Sequence, residues 1–253
     1  MLLGKSIARK EKEKEKEKER KKEKEKIFIL DWDDTLFPTF LISRITILKD
    51  EDLKKLMILD KVIVSLLSKI MSTNLTRKIR APYLFIVTNS KQDWIRKSSF
   101  QFLPLTHRFI KKYNTPAHKF CVISARASFE NKFPKDPIAW KVCAFQQILE
   151  KISPEKISPS VKNIRERERE RDDVEIISCG DGDPERIALF KTKQNNSGEN
   201  GLKKNIKVKS IKFIESPQSI DDIILQLEFI SKHLESILKE EEEIDFFLDE
   251  IIE

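Results

Sequence analysis

From residue 27 onward, short apolar runs alternate with longer amphipathic stretches, and few architectures accept that alternation. The runs "IFILD" (27–31), "YLFIVT" (83–88), "KFCVIS" (119–124), "VEIIS" (174–178) and "SIKFIE" (210–215) are rich in β-branched and aromatic residues. Strands covered on both faces have that composition. Between the first two, "DEDLKKLMILDKVIVSLLSKIMS" repeats apolar residues at Leu53, Leu56, Met57, Val62, Ile63, Leu66, Leu67 and Ile70. That spacing is one face of a helix, which Asp50 or Asp52 is placed to cap. Further helical patterns cover 91–113 as one helix or a pair, 137–151, 184–190 with Pro184 suited to a first turn, and 219–238. The order β-α-β-α-β-α-β-α-β-α specifies an α/β, Rossmann-like three-layer sandwich, with a mainly parallel five-stranded sheet between helices.

Two charged runs stand outside this pattern. "RKEKEKEKEKERKKEKEK" (9–26) and "RERERERDD" (165–173) contain no apolar side chain. The first holds eleven basic against seven acidic residues, in a chain with 49 Lys and Arg against 42 Asp and Glu, net +7. A nucleic-acid patch needs an uncancelled field, and the interspersed Glu cancels most of it. Nucleic-acid binding by the Lys-rich tail is therefore the weaker reading beside a solvated, disordered or partly helical tail. The expected organisation is a charged tail at 1–26, a domain at 27–238 with a low-complexity insertion at 153–173 and a polar loop at 191–205, and an acidic tail at 239–253. For that last tail, a frayed extension of the final helix is the simplest reading. "MLLGKSIARK" is too short an apolar run for a signal peptide, and no stretch of eighteen apolar residues occurs. A cytoplasmic or nuclear location without membrane partners is the expectation. Cys121, Cys143 and Cys179 form no CxxC pair, and buried reduced thiols account for them.

In an open parallel sheet, ligands bind at the carboxyl ends of the strands. The first run is followed by Asp31, Trp32, Asp33, Asp34 and Thr35, the second by Thr88, Asn89 and Ser90, and the fourth by Cys179, Gly180, Asp181, Gly182 and Asp183. Lys141 lies in the helical pattern "DPIAWKVCAF". Three aspartates within four positions at the end of a buried strand repel one another and are costly to desolvate, so positive charge is expected among them.

"IFILDWDDT", "FIVTN", Lys141 and "IISCGDGDPE" resemble, in order, the four motifs of the haloacid dehalogenase-like superfamily, over about residues 27–236. The resemblance implies a Mg²⁺-dependent phosphatase. In that pattern Asp31 attacks phosphorus to form an aspartyl-phosphate, and Asp33 protonates the leaving group and then activates water. The Asp31 carboxylate, the Asp33 backbone carbonyl and the Asp181 carboxylate hold Mg²⁺. The Thr88 hydroxyl and the following N–H, that of Asn89, bond phosphoryl oxygens, and Lys141 neutralises Asp31 and the phosphate. Glu185 falls where the family carries its second acid, with Asp183 the competing assignment. Phosphoryl transfer requires such a set independently of the name: an in-line nucleophile, cationic charge on the equatorial oxygens, and a proton for the departing alkoxide. Asp34 departs from the family, which often has Gly there, and either favours a metal or a cationic substrate group or points to solvent.

Members of the superfamily select small substrates through a cap. Here only "ARASFENKFPKDP" separates Ser124 from the Lys141 helix, and "FPTFLISRITILK" (37–49) leaves room for no more than a flap. The resemblance then implies an open, capless site suited to a phosphoprotein or another large phosphoester. Of the remaining polar residues, His107, His118 and His233 lack ligand spacing and read as structural. Arg126 would meet either a second anionic group of the substrate or an acidic neighbour. Trp94 and Trp140 read as packing residues, and Trp32 should point away from the flanking aspartates. The competing reading is a non-catalytic module of the same fold whose charged tails recruit partners. A nucleophile and an acid retained together weigh against it.

Overall fold

The computed structural model describes residues 25–73, 81–152, 174–196 and 206–249. Six strands form one sheet: β1 (Glu25–Leu30), β2 (Tyr83–Thr88), β3 (Phe120–Ser124), β4 (Val174–Gly180), β5 (Ile206–Lys212) and β6 (Ile244–Phe247). Their order is β3-β2-β1-β4-β5-β6, and every neighbouring pair is parallel. The helices are α1 (Thr39–Arg44), α2 (Asp50–Ser72), α3 (Trp94–Phe102), α4 (Pro104–Tyr113), α5 (Ala125–Phe129), α6 (Pro137–Ile152), α7 (Asp183–Asn195) and α8 (Ile220–Lys239). The chain steps outward from β1 to β3 and then returns to the other side of β1 with β4. The order therefore reverses between β1 and β4, where a crevice opens at their carboxyl ends.

Strand alternation divides the core into two layers. Phe28 and Leu30 of β1 belong to one, with Leu59 and Ile63 of α2, Phe109 of α4 and Leu227 and Leu234 of α8. Ile27 and Ile29 belong to the other, with Phe145 and Ile148 of α6 and Leu189 of α7. Helix α2 starts with an Asp52 carboxylate accepting the Lys49 N–H at 3.1 Å, and α8 starts with Ser219 and Asp222 bonding each other's N–H groups. The stretch 91–113 resolves into two helices broken at Leu103, with Pro104 opening the second.

The sheet departs from the five-strand expectation at its far edge. Residues 244–247, read as a frayed helix extension, instead form β6 and pair with β5. Four consecutive glutamates, 240–243, would place like charges at the negative end of α8, so the helix stops at Lys239. Ile244, Phe246 and Leu248 then follow at a period of two, and Phe246 and Leu248 pack on the core. Arg186–Asp245 and Lys193–Glu243 ion pairs fasten the strand to α7. The fifth strand also begins at Ile206 rather than 210, and α7 runs on to Asn195.

At the other end of the chain, β1 begins inside the charged run, two residues before the expected domain boundary. Lys26 bonds Glu175 of β4 and donates to the Leu238 carbonyl at 2.6 Å. Lys209, fully buried, pairs with Glu175 at 2.6 Å and donates to the carbonyls of Ile237 and Glu240 at 2.7 and 2.6 Å. Two lysines thus satisfy the last carbonyls of α8 with Glu175 between them. The insertion at 153–173 lies outside the described residues. Among those residues no helix is long and apolar enough to cross a membrane.

Candidate active site

Where β1 ends, the Asp31 N–H donates to the Cys179 carbonyl of β4 at 3.0 Å, which seats Asp31 in the crevice. The chain then folds tightly: Leu36 and Phe37 N–H groups both donate to the Trp32 carbonyl at 3.0 and 2.8 Å. The Trp32 ring turns into the core, stacks on Phe37 at 5.9 Å and donates to Ser98 Oγ at 3.1 Å. It points away from the aspartates, as strand alternation requires.

Lys141, in the first turns of α6, extends fully buried beneath Asp31. Its ammonium bonds Asp31 Oδ1, Glu185 Oε1 at 2.6 Å and the Val87 carbonyl at 2.6 Å, which uses all three donors. Glu185 reaches it only because residue 180 is glycine: a Cβ there would stand 2.5 Å from Glu185 Cγ. Asp183 points elsewhere, to Lys212 at 2.9 Å. Of the two acids that competed in the sequence, Glu185 joins Lys141 and Asp183 does not.

Asp181 follows β4 and faces Thr35. The Thr35 hydroxyl accepts the Asp181 N–H at 3.1 Å and donates to Asp181 Oδ1 at 3.2 Å. Asp33 sits in a cage of donors. Its Oδ2 accepts Thr88 Oγ1 at 2.8 Å and Ser90 Oγ at 2.7 Å, and its Oδ1 accepts Thr39 Oγ1 at 2.5 Å and Trp94 Nε1 at 2.6 Å. The Thr88 hydroxyl, expected on phosphate, is here directed at Asp33 and accepts the Ser90 N–H at 2.9 Å. The Asn89 amide donates to the Pro137 carbonyl at 3.3 Å, tying the end of β2 to the start of α6, while its buried Oδ1 has no partner among the described residues.

The third aspartate has a local task. Asp34 adopts φ 55, a left-handed conformation that Asp tolerates better than most residues. Its Oδ1 accepts the Phe40 N–H at 2.9 Å at the start of α1. Arg126 is clamped to Glu130 by two bonds of 3.0 and 2.8 Å, the acidic-neighbour alternative. His107 bonds Ser99 at 3.1 Å, His118 bonds Thr115 at 2.9 Å, and His233 lies against the Phe229 ring at 4.5 Å. Cys179 is buried, whereas Cys121 and Cys143 are half-buried and all three are free thiols.

Burial raises the Asp31 pKa well above the ordinary carboxylate range; Lys141 opposes the shift, and Glu185, Asp33 and Asp181 add to it. Burial also pushes Asp181 up to about 7, with Glu185 and Asp34 contributing. Burial disfavours the Lys141 charge as well, but Asp31 and Glu185 outweigh it and hold the ammonium above its usual pKa. Among the described residues, four carboxylates and one ammonium leave the crevice short of positive charge. Among the described residues no group of three or more His, Cys, Asp or Glu side chains converges as a ready-made metal cage. The set expected for Mg²⁺ asks for less, two carboxylates and one backbone carbonyl, all hard oxygen donors, and Asp181 lies close enough to raise the pKa of Asp31. The residues present fit a hard divalent cation.

Trp94, Ser90 and Gly180 shape the site and were not singled out for it by the sequence. Trp94 read as packing, yet a partly buried indole seeks a partner for its N–H, and its place one short turn beyond "VTNS" is the available signal. Comparison with protein-family models, with curated proteins and with solved structures finds no match.

Proposed function

We propose that the protein is a Mg²⁺-dependent phosphatase of the haloacid dehalogenase-like type, hydrolysing a phosphomonoester through an aspartyl-phosphate. The observation that carries the reading is the ammonium of Lys141 held between Asp31 and Glu185, beside a third carboxylate, Asp33, positioned separately by hydroxyl and indole donors. A structural ion pair needs one carboxylate; a nucleophile and an acid need two, in different surroundings.

In this reading the Asp31 carboxylate attacks phosphorus as the bond from phosphorus to the leaving oxygen breaks, and Asp33 gives that oxygen its proton. Asp33 then takes a proton from water, whose oxygen displaces Asp31 from phosphorus and releases inorganic phosphate. Lys141 offsets the charge that gathers on Asp31 and the phosphoryl oxygens. The Thr88 hydroxyl and the Asn89 N–H, at the end of β2, serve as phosphoryl donors. Mg²⁺, held by the carboxylates of Asp31 and Asp181 and the carbonyl of Asp33, supplies the cationic charge that binds phosphate against a carboxylate. Only a six-residue helix, α1, stands between β1 and α2, and only α5 and turns stand between β3 and α6. Such an open rim favours a phosphoprotein or another large phosphoester.

The test is hydrolysis of p-nitrophenyl phosphate with Mg²⁺. Slow turnover is expected, with Asp31→Asn abolishing it while circular dichroism and thermal midpoint stay native-like. Wild-type activity no higher than that of Asp31→Asn, with Mg²⁺, Mn²⁺ or Co²⁺ alike, gives the site to a non-catalytic binding module instead.

A further inference from the structure

The two oxygens of Asp33 meet different kinds of donor, and the difference assigns them different work. Oδ2 is bonded by hydroxyls, those of Thr88 and Ser90. A hydroxyl rotates and can accept as readily as it donates. Oδ1 is bonded by Thr39 and by the indole N–H of Trp94 at 2.6 Å. An indole N–H donates only, so it always occupies an acceptor site of Oδ1 and makes that oxygen the poorer place for the carboxyl proton.

The indole is also held in place. Trp94 opens α3; its ring meets Phe37 edge-on at 6.0 Å, its carbonyl accepts Ser98 Oγ at 2.8 Å, and that same Ser98 hydroxyl accepts the Trp32 N–H. Ile95, Ser98 and Ser99 bury one side of the helix. Trp94 therefore reaches Asp33 from a frame anchored independently of it, across 61 positions of sequence.

We infer that Trp94 is a positioning residue for proton transfer: its indole N–H reserves Asp33 Oδ1 as an acceptor and leaves Oδ2, the oxygen beside Thr88, to hand the proton to the leaving group. This rests on the phosphatase reading. In the step itself, the proton on Oδ2 moves to the leaving oxygen as its bond to phosphorus breaks, Asp31 gains the bond to phosphorus, and Asp33 is left as an anion accepting Ser90, Thr39 and Trp94, while the single Thr88 hydroxyl proton goes to the phosphoryl group. The Ser90 hydroxyl turns from accepting to donating as the proton leaves, while Trp94 stays as it is.

Leaving-group dependence tests this. Nitrophenolate departs with little help from an acid, whereas phenolate needs a proton. Replacement of Trp94 by Phe keeps a ring against Phe37 and removes the N–H. The value of kcat/KM for phenyl phosphate should fall about tenfold, the effect of losing one hydrogen bond to a charged group, and that for p-nitrophenyl phosphate by less than about threefold. Asp33→Asn combined with Trp94→Phe should be no worse on phenyl phosphate than Asp33→Asn alone. Equal losses on the two substrates, or additive losses in the double variant, overturn the role of Trp94 and leave the phosphatase reading standing. Wild type inactive on both substrates removes both. Benzothienylalanine at position 94, isosteric with Trp but lacking the N–H, repeats the comparison with the full ring in place, and wild-type behaviour of that variant also overturns the inference.

Discussion

At the scale of single residues, the site divides into groups the sequence announces and groups it does not. Asp31, Asp33, Lys141 and Asp181 are legible because their chemistry is unusual where they stand, at ends of apolar runs or within a helical apolar pattern. The choice between Asp183 and Glu185 is not legible, because it depends on which way the first turn of α7 faces, and a glycine 5 positions earlier, Gly180, settles it. Replacing Gly180 with Ala should push Glu185 off Lys141 and cost roughly 1–3 kcal/mol, the usual penalty of overpacking, read as a lower urea midpoint. An unchanged midpoint would mean that Glu185 finds another path to the lysine. Asp34 makes a complementary case. Its positive φ and its bond to the Phe40 N–H predict that Asp34→Gly retains stability better than Asp34→Val, in which a β-branched residue is forced into a left-handed conformation. Thermal midpoints in the opposite order would contradict that role.

At the scale of elements, the internal strands are legible because each is an uninterrupted apolar run flanked by breakers, and β1 to β4 fall within a few residues of their expected places. β6 is not legible, since the alternation of Ile244, Phe246 and Leu248 spans too few residues after four glutamates, and Phe247, Ile251 and Ile252 let the same stretch read as a helix extension. Its place comes from what β5 offers, an unpaired edge, and from cations on α7 and β5. Arg186 pairs with Asp245 and lies 5.6 Å from the Phe247 ring, and Lys212 stands 5.7 Å from the same ring. Leu248 beyond it is completely buried. A chain ending at residue 243 should therefore lose roughly 3 kcal/mol or more from the burial of Phe246 and Leu248, seen as a lowered denaturation midpoint, and should aggregate more readily through the uncovered edge of β5. A truncated chain as stable and as monodisperse as the full one would show the strand to be dispensable.

At the scale of the whole molecule, the fold holds a cluster of carboxylates at one edge of the sheet and a Lys26–Glu175–Lys209 chain, buried at Glu175 and Lys209, at the other. The first makes stability depend on pH in a definite direction. Asp181 is raised from 3.8 to about 7 and Asp31 is raised in the same sense, so the fold prefers their protonated forms. The Asp181 contribution is fully present below about pH 4 and is lost as pH rises through about 7, and that of Asp31 changes in the same direction. In metal-free buffer the thermal midpoint should fall between pH 5 and pH 8 more steeply for the wild type than for Asp181→Asn, and Mg²⁺ should raise the wild-type midpoint more at pH 8 than at pH 5. Parallel pH profiles for the two proteins would remove Asp181 from the account. The second cluster bears on how the amino-terminal repeat can be trimmed. Removal of residues 1–26 strips Glu175 of one cation and the Leu238 carbonyl of its donor, at a cost of about 1–3 kcal/mol, whereas a cut after residue 24 spares both. The last lysine of a monotonous run thus belongs to the fold and not to the tail, and a cut made where the composition changes would pass through the folded protein instead of beside it.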